Sequence, residues 1–129
     1  MRTVKHVLLA SLTLCVEGSL VAYEAADTEK PKYDIETIMG KAHKAPEGEA
    51  SLLKKVATGK ANANQKKELL GLYEELAKNK PEKGGQDDWK TRTTAMVKAA
   101  KEVVDNKPGA AGKLGKTVNC KGCHELHKQ

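Results

Sequence analysis

The chain has 129 residues, with 23 Lys and Arg against 17 Asp and Glu, a formal charge of +6, no Phe and one Trp. That length fits one domain. The scarcity of aromatic rings and arginines argues against nucleic-acid binding, which needs stacking surfaces and guanidinium forks. Three cysteines are too few for a disulfide scaffold, and a bridge between Cys120 and Cys123 would close a very short loop and constrain little.

Arg2 and Lys5 open the segment MRTVKHVLLASLTLCVEGSLVAYEA, which runs apolar from Val7 to Val16. A charged start followed by a short apolar run is the pattern of a secretory signal peptide. Glu17 interrupts it well before the ~20 residues that a permanent membrane span needs. Residues 1–25 are therefore expected to be cleaved, leaving 26–129 as an exported domain in the periplasm or an equivalent extracytoplasmic compartment, not an integral membrane protein. Cleavage removes Cys15 and leaves Arg92 as the remaining arginine. The excess positive charge then rests almost wholly on scattered lysines, which favour solubility and steering toward acidic partners.

From Pro31 onward the pattern is helical. Ile35, Ile38, Met39 and Ala42 in PKYDIETIMGKAHKA recur at i, i+3, i+4 and i+7. This spacing predicts helix A from about Tyr33 to Lys44, with Asp34 and Glu36 in a first turn whose dipole suits them and Pro46 beyond its end. EASLLKKVATG reads as a short helix closed by Gly59, and NANQKKELLGLYEELAKN as helix B, with Leu69, Leu70, Leu72, Tyr73 and Leu76 inward. After the loop KPEKGGQ, the stretch DDWKTRTTAMVKAAKEVVDN forms helix C, carrying Trp89, Met96, Val97, Ala100, Val103 and Val104 and closed by Pro108-Gly109. Helix D is AAGKLGKTVNCKGCHELHK. No alternation of period two interrupts this order, so the expected fold is all-α: an up-down-up-down antiparallel four-helix bundle with an extra short helix between A and B.

Helix D is poorly equipped to hold its place. Between Leu114 and Leu126 its only larger aliphatic residue is Val118, and Gly112, Gly115 and Gly122 each cost about 1 kcal/mol relative to Ala. A large flat apolar group bound alongside would supply the missing bulk. The same segment carries Cys120-Lys121-Gly122-Cys123-His124, the C-x-x-C-H attachment sequence of c-type haem. The Cys120 and Cys123 thiols add across two vinyl groups to form thioethers, and a three-residue step keeps both sulfurs on one helix face. His124, next in line, is placed to be the proximal iron ligand.

Two other chemistries use these residue types. Cys120, Cys123, His124 and His127 are four zinc-type ligands, but crowded into eight residues of one helix they cannot readily form a tetrahedron. A redox-active thiol pair belongs at a helix N-terminus that lowers the thiol pKa, whereas these cysteines are expected near the end of helix D. On the distal side, the antiparallel order brings the start of helix A beside the end of helix D. Met39 then lies level with His124, while His43 lies one turn, about 6 Å, further along. Met39 is the leading candidate for the distal ligand and His43 the second, with an open sixth position as the remaining alternative. His127 is expected at the surface. Trp89 reads as a core anchor able to pack on a porphyrin edge, and Arg92 as a surface residue or the partner of a haem propionate. Lys113, Lys116, Lys121 and Lys128 surround the motif and can serve either solvation or docking.

Taken together, IETIMGKAHK in helix A and CKGCHELHK at the C-terminus make the chain resemble the class II c-type cytochromes, the cytochrome c-prime-like four-helix-bundle family. The stretch ELLGLYEELAKNKPEKGGQDDWK is similar to the middle of exported monohaem cytochromes from planctomycete-type genomes. The likeness spans about Tyr33 to Lys128 and implies one covalent haem c in a periplasmic bundle. Low-spin members carry a helix-A methionine on the iron, a position Met39 matches, whereas cytochromes c-prime leave the iron five-coordinate and bind small gases. The extra short helix and His43 depart from the family pattern. The expected function is one-electron transfer with redox partner proteins, acidic ones by charge, and pairing into a homodimer through helices A and B is the family's habit. The alternative is a five-coordinate protein that binds nitric oxide or carbon monoxide. No acid–base pair is placed to cleave an O–O bond, so no enzymatic activity is expected.

Overall fold

Asp34 caps the first helix from outside rather than lying within it. Its carboxylate accepts the Thr37 N–H at 2.7 Å, and α1 runs Ile35–His43. Ser51 caps α2 (Leu52–Ala57) in the same way, and Gly59, at φ +74°, turns the chain away after it. Asn62 and Gln65 exchange side-chain-to-backbone hydrogen bonds in a capping box that starts α3 (Ala63–Lys78). The longest helix, α4 (Gln86–Val104), places Asp87 and Asp88 in its first turn, and α5 (Ala110–Thr117) and α6 (Cys120–His127) follow. The computed structural model describes residues 29–128, so the expected signal peptide lies outside them. Among the described residues every regular element is an α-helix, and no helix is long and apolar enough to cross a membrane.

Helices α1 to α5 pack in a ring: α1 on α3, α3 on α4, α4 on α5, α5 on α2 and α2 back on α1, with α2 also against α3. The short α2 is thus a working member of the core. Its Val56 is fully buried beside Ile38, Leu69, Tyr73 and Leu114, the other large apolar side chains sealed from solvent. Met96, Ala99, Ala100 and Val103 line the buried face of α4, where Thr93 is also sealed because its hydroxyl donates to the Trp89 carbonyl. Val97 and Leu70 lie at the edge of this core, half-buried, and Val104 is half-buried as well.

One expectation is corrected. Helix D is two helices, broken at Val118 and Asn119, where both residues leave helical geometry (ψ 91° and 84°). The Thr117 hydroxyl donates to the Lys113 carbonyl, finishing the last turn of α5. The Asn119 side chain then accepts the Gly122 N–H at 2.9 Å and begins a new helix. An asparagine side chain competes with the backbone in just this way, which makes it poor inside a helix and good at a cap. Gly122 permits the close seat of that cap, because a Cβ there would lie 2.7 Å from Asn119 Nδ2.

Candidate functional site

The break at Asn119 gives the C-terminal motif a helix of its own. Cys120 is the first residue of α6, and Cys123 and His124 follow one turn later. Both thiols are free; Cys120 is exposed and Cys123 half-buried against the core. Burial pushes the Cys123 thiol up, with Asp88 and Cys120 adding to the effect and Arg92 opposing it.

These side chains border a cleft between α1, α4 and α6. Its wider lobe has a volume of about 360 Å³ and is walled by Ile35 and Met39 from α1, Trp89 from α4, and Cys123, His124 and His127 from α6. A narrower lobe of about 30 Å³ lies against it, walled by Met39, His43, Met96, Cys120, Cys123 and His124. Met39, Cys123 and His124 border both lobes, so the two adjoin at these side chains. The wider lobe alone falls within the ~300–1,000 Å³ typical of cofactor sites. All five motif and distal candidates from the sequence therefore meet at one place: Cys120, Cys123 and His124 on one wall, Met39 and His43 on the other.

The two distal candidates are not equivalent. His43 Nε2 lies 3.1 Å from the Tyr73 hydroxyl, and the rings meet edge-to-face with centroids 5.9 Å apart. Burial holds the His43 imidazole below its usual pKa, and the neighbouring His124 lowers it further. Burial, aided by Cys120, raises the Tyr73 phenol. Both directions favour a neutral pair, joined by one hydrogen bond between the Tyr73 hydroxyl and His43 Nε2. That bond occupies Nε2 in either tautomer. Met39 carries a thioether with no competing partner chemistry of this strength, half-buried on the same wall.

His127 corrects another expectation: it is buried, with 6 % of its surface exposed. Its Nδ1 lies 3.0 Å from the Lys83 carbonyl and its Nε2 lies 2.8 Å from Asp88 Oδ2. Both facing atoms are acceptors, so each contact is a hydrogen bond where the ring nitrogen carries the hydrogen and donates it. Arg92 also donates to Asp88 Oδ2. Arg92 first and His127 second hold the Asp88 carboxyl below its usual range. The Trp89 ring packs edge-to-face on His127 with centroids 5.3 Å apart. Gly84, at φ +85°, makes this seat possible, because a Cβ there would stand 2.6 Å from both His127 Nδ1 and the Leu126 carbonyl oxygen. The partners of His127 lie 44 and 39 residues upstream, and no local pattern in the sequence announced them.

Two of the alternatives are weighed by this geometry. His127 spends both nitrogens elsewhere, and among the described residues no group of three or more His, Cys, Asp or Glu side chains is placed to hold a metal ion. A tetrahedral zinc site lacks its fourth ligand. The cysteines do stand in the first turn of a helix, contrary to expectation, with Cys120 exposed and the Cys123 thiol raised by burial. The donor set fits a c-type haem: two free thiols three residues apart, the adjoining imidazole, a slot bordered by apolar side chains, and a thioether across it. No protein-family model matches the chain, and no curated protein or solved structure matches it.

Proposed function

We propose that this protein is an exported monohaem c-type cytochrome that carries single electrons. The observation that carries this reading is the shared cleft: Cys120, Cys123 and His124 border it on one side and Met39 on the other. A haem c bound here supplies a metal that accepts and returns one electron. The chain's part is to hold it. Cys120 and Cys123 tether the ring, His124 presents its imidazole from the same helix, and Met39 offers sulfur from α1. Ile35, Leu76, Met96 and Val118 keep water from the apolar faces. Thioether sulfur favours the reduced metal and so raises the potential.

The ring of helices reads on this view as a variant of the antiparallel four-helix bundle. Helices α1, α3, α4 and the α5–α6 pair stand for its four members, with α2 added between α1 and α5. What supports this is the packing order and the position of the haem motif in the last helix. A positive charge of +6 suits acidic redox partners.

The test is expression of the full chain in a bacterial host that matures c-type cytochromes. The expected product is red, gains the mass of one haem that survives denaturation, and resists alkylation at Cys120 and Cys123. Colourless protein with both thiols alkylated would overturn the reading. Carbon monoxide then separates the carrier from a gas-binding protein, since rapid binding to the reduced form requires an open sixth position.

A further inference from the structure

The packing that seals the core stops at the end of α5. Every buried apolar side chain of the described residues, from Ile38 to Leu114, belongs to α1–α5. Those five helices close a ring on one another, whereas α6 packs only slightly against any of them. Its one larger aliphatic residue, Leu126, is 46 % exposed. Among the described residues, the hydrogen bonds that reach α6 from other helices and loops all end on His127, at the Lys83 carbonyl and Asp88 Oδ2. Cys123 adds a half-buried contact with the core, and His127 an edge contact with Trp89.

The start of α6 is equally loosely joined. The α5 hydrogen-bond ladder ends on the Val118 N–H, and the α6 ladder begins at the Asn119 carbonyl. Rotation between these two residues therefore breaks no helical hydrogen bond. The cleft also gives a reason for movement. Cys120 borders only the narrower lobe, whose 30 Å³ is room for about two waters. A flat ring seated between α6 and the bundle and tied to both cysteines cannot lie in that space. To admit it, α6 must swing outward.

We propose that α6 is a hinged strap, which releases as a unit about Val118 and Asn119 while α1–α5 stay folded, admits a ring, and latches again through His127. The hinge stands on the contacts within the chain, and its use in admitting a ring rests on the haem reading above. An isolated helix of this length is marginal in water, so the released segment unwinds and presents both thiols together.

The experiment is amide hydrogen exchange, residue by residue, in the full chain recovered without haem and with both thiols reduced. The amides from Cys123 to His127 should share one protection factor and exchange about tenfold or more faster than those of α3 and α4. Low urea should scarcely change the α6 rates, because the opening exposes little apolar surface, and should speed the α3 and α4 rates steeply. His127→Ala should speed α6 exchange about tenfold, with α3 and α4 still protected well above it. In the matured holoprotein the α6 amides should slow about tenfold or more, since the ring then ties the strap down. Rates and urea dependence equal across all helices overturn the proposal, as does an unprotected α3 and α4 in the haem-free chain. Protection that merely fades toward the C-terminus also overturns it, because that is fraying and not release of a unit. If α6 exchange is the same with and without bound haem, the strap has no part in seating the ring. Should the Ala variant fail to fold, the wild-type rates and their urea dependence decide. A colourless product from the maturing host is a separate outcome: it removes the haem assignment and leaves the hinge to stand or fall on exchange.

Discussion

His127 Nε2 and Asp88 Oδ2 stand 2.8 Å apart, joining the last turn of α6 to the first turn of α4. The contact matters because α6 has little else to hold it. It is eight residues long, and its only fully buried side chain is His127 itself. Replacing His127 with Ala leaves the Lys83 carbonyl and the Asp88 carboxylate short of a donor and empties the space beside Trp89. The expected loss is about 1–3 kcal/mol of unfolding free energy, read by urea denaturation of the haem-free protein. A loss within error of zero would mean that α6 is held by other means.

Acid should act through the same clamp. The Asp88 carboxyl is held below its ordinary value by Arg92 and then by His127. A depressed carboxyl pKa adds stability that is fully present above the unfolded value, about 3.9, and disappears as pH falls through the folded value below it. Unfolding midpoints measured down from neutral pH should therefore stay level from this group to about pH 4 and decline beneath. The Asp88→Asn variant should start lower and decline less steeply. Parallel acid profiles for the two proteins would remove Asp88 from the account.

Two glycines isolate the cost of the close approach beneath α6. Gly48 and Gly84 have nearly the same backbone, at φ +84° and +85°, but a Cβ at Gly48 meets nothing within 4 Å. Gly48→Ala should therefore lose only the penalty of a left-handed L-residue, about 1–2 kcal/mol. Gly84→Ala carries that penalty and also drives a methyl into the Leu126 carbonyl, which cannot yield without moving α6. It should be clearly the more destabilising of the two by thermal or denaturant unfolding, and it should expose His127. Equal losses would show that the seat is loose.

Helices α1 to α4 were legible because their apolar residues repeat at helical spacing and their ends carry caps, turns or prolines. Asn62 with Gln65 is such a signal, and so is the Ile35, Ile38, Ala42 stripe. The break inside the expected helix D was harder to see. Its cue is Asn119 three residues before Gly122, and a run of small residues around it offers no periodicity to interrupt. The burial of His127 was invisible for a different reason. It depends on a loop carbonyl and a carboxylate far away in sequence, brought near by a glycine that reads locally as plain loop. The motif spacing, by contrast, predicts its own geometry: Cys120, Cys123 and His124 share a wall of the cleft because three and four residues span one helical turn.

The distal side offers the sharpest test, because Met39 and His43 both border the slot and differ in what occupies them. In the matured protein Met39 is expected to take the sixth position, since His43 Nε2 is engaged by the Tyr73 hydroxyl. Met39→Ala should abolish the low-spin spectrum and lower the reduction potential, while His43→Ala should leave both close to wild type. Tyr73→Phe removes only the hydroxyl from a fully buried ring, at about 1 kcal/mol for the lost hydrogen bond, and frees His43 Nε2. In the Met39→Ala background this second change should restore a low-spin spectrum, now with two histidines and a potential below wild type. If Met39→Ala alone stays low-spin, Tyr73 does not restrain His43. If the double variant stays high-spin, His43 cannot reach the metal and Met39 is the sole distal ligand that α1 provides.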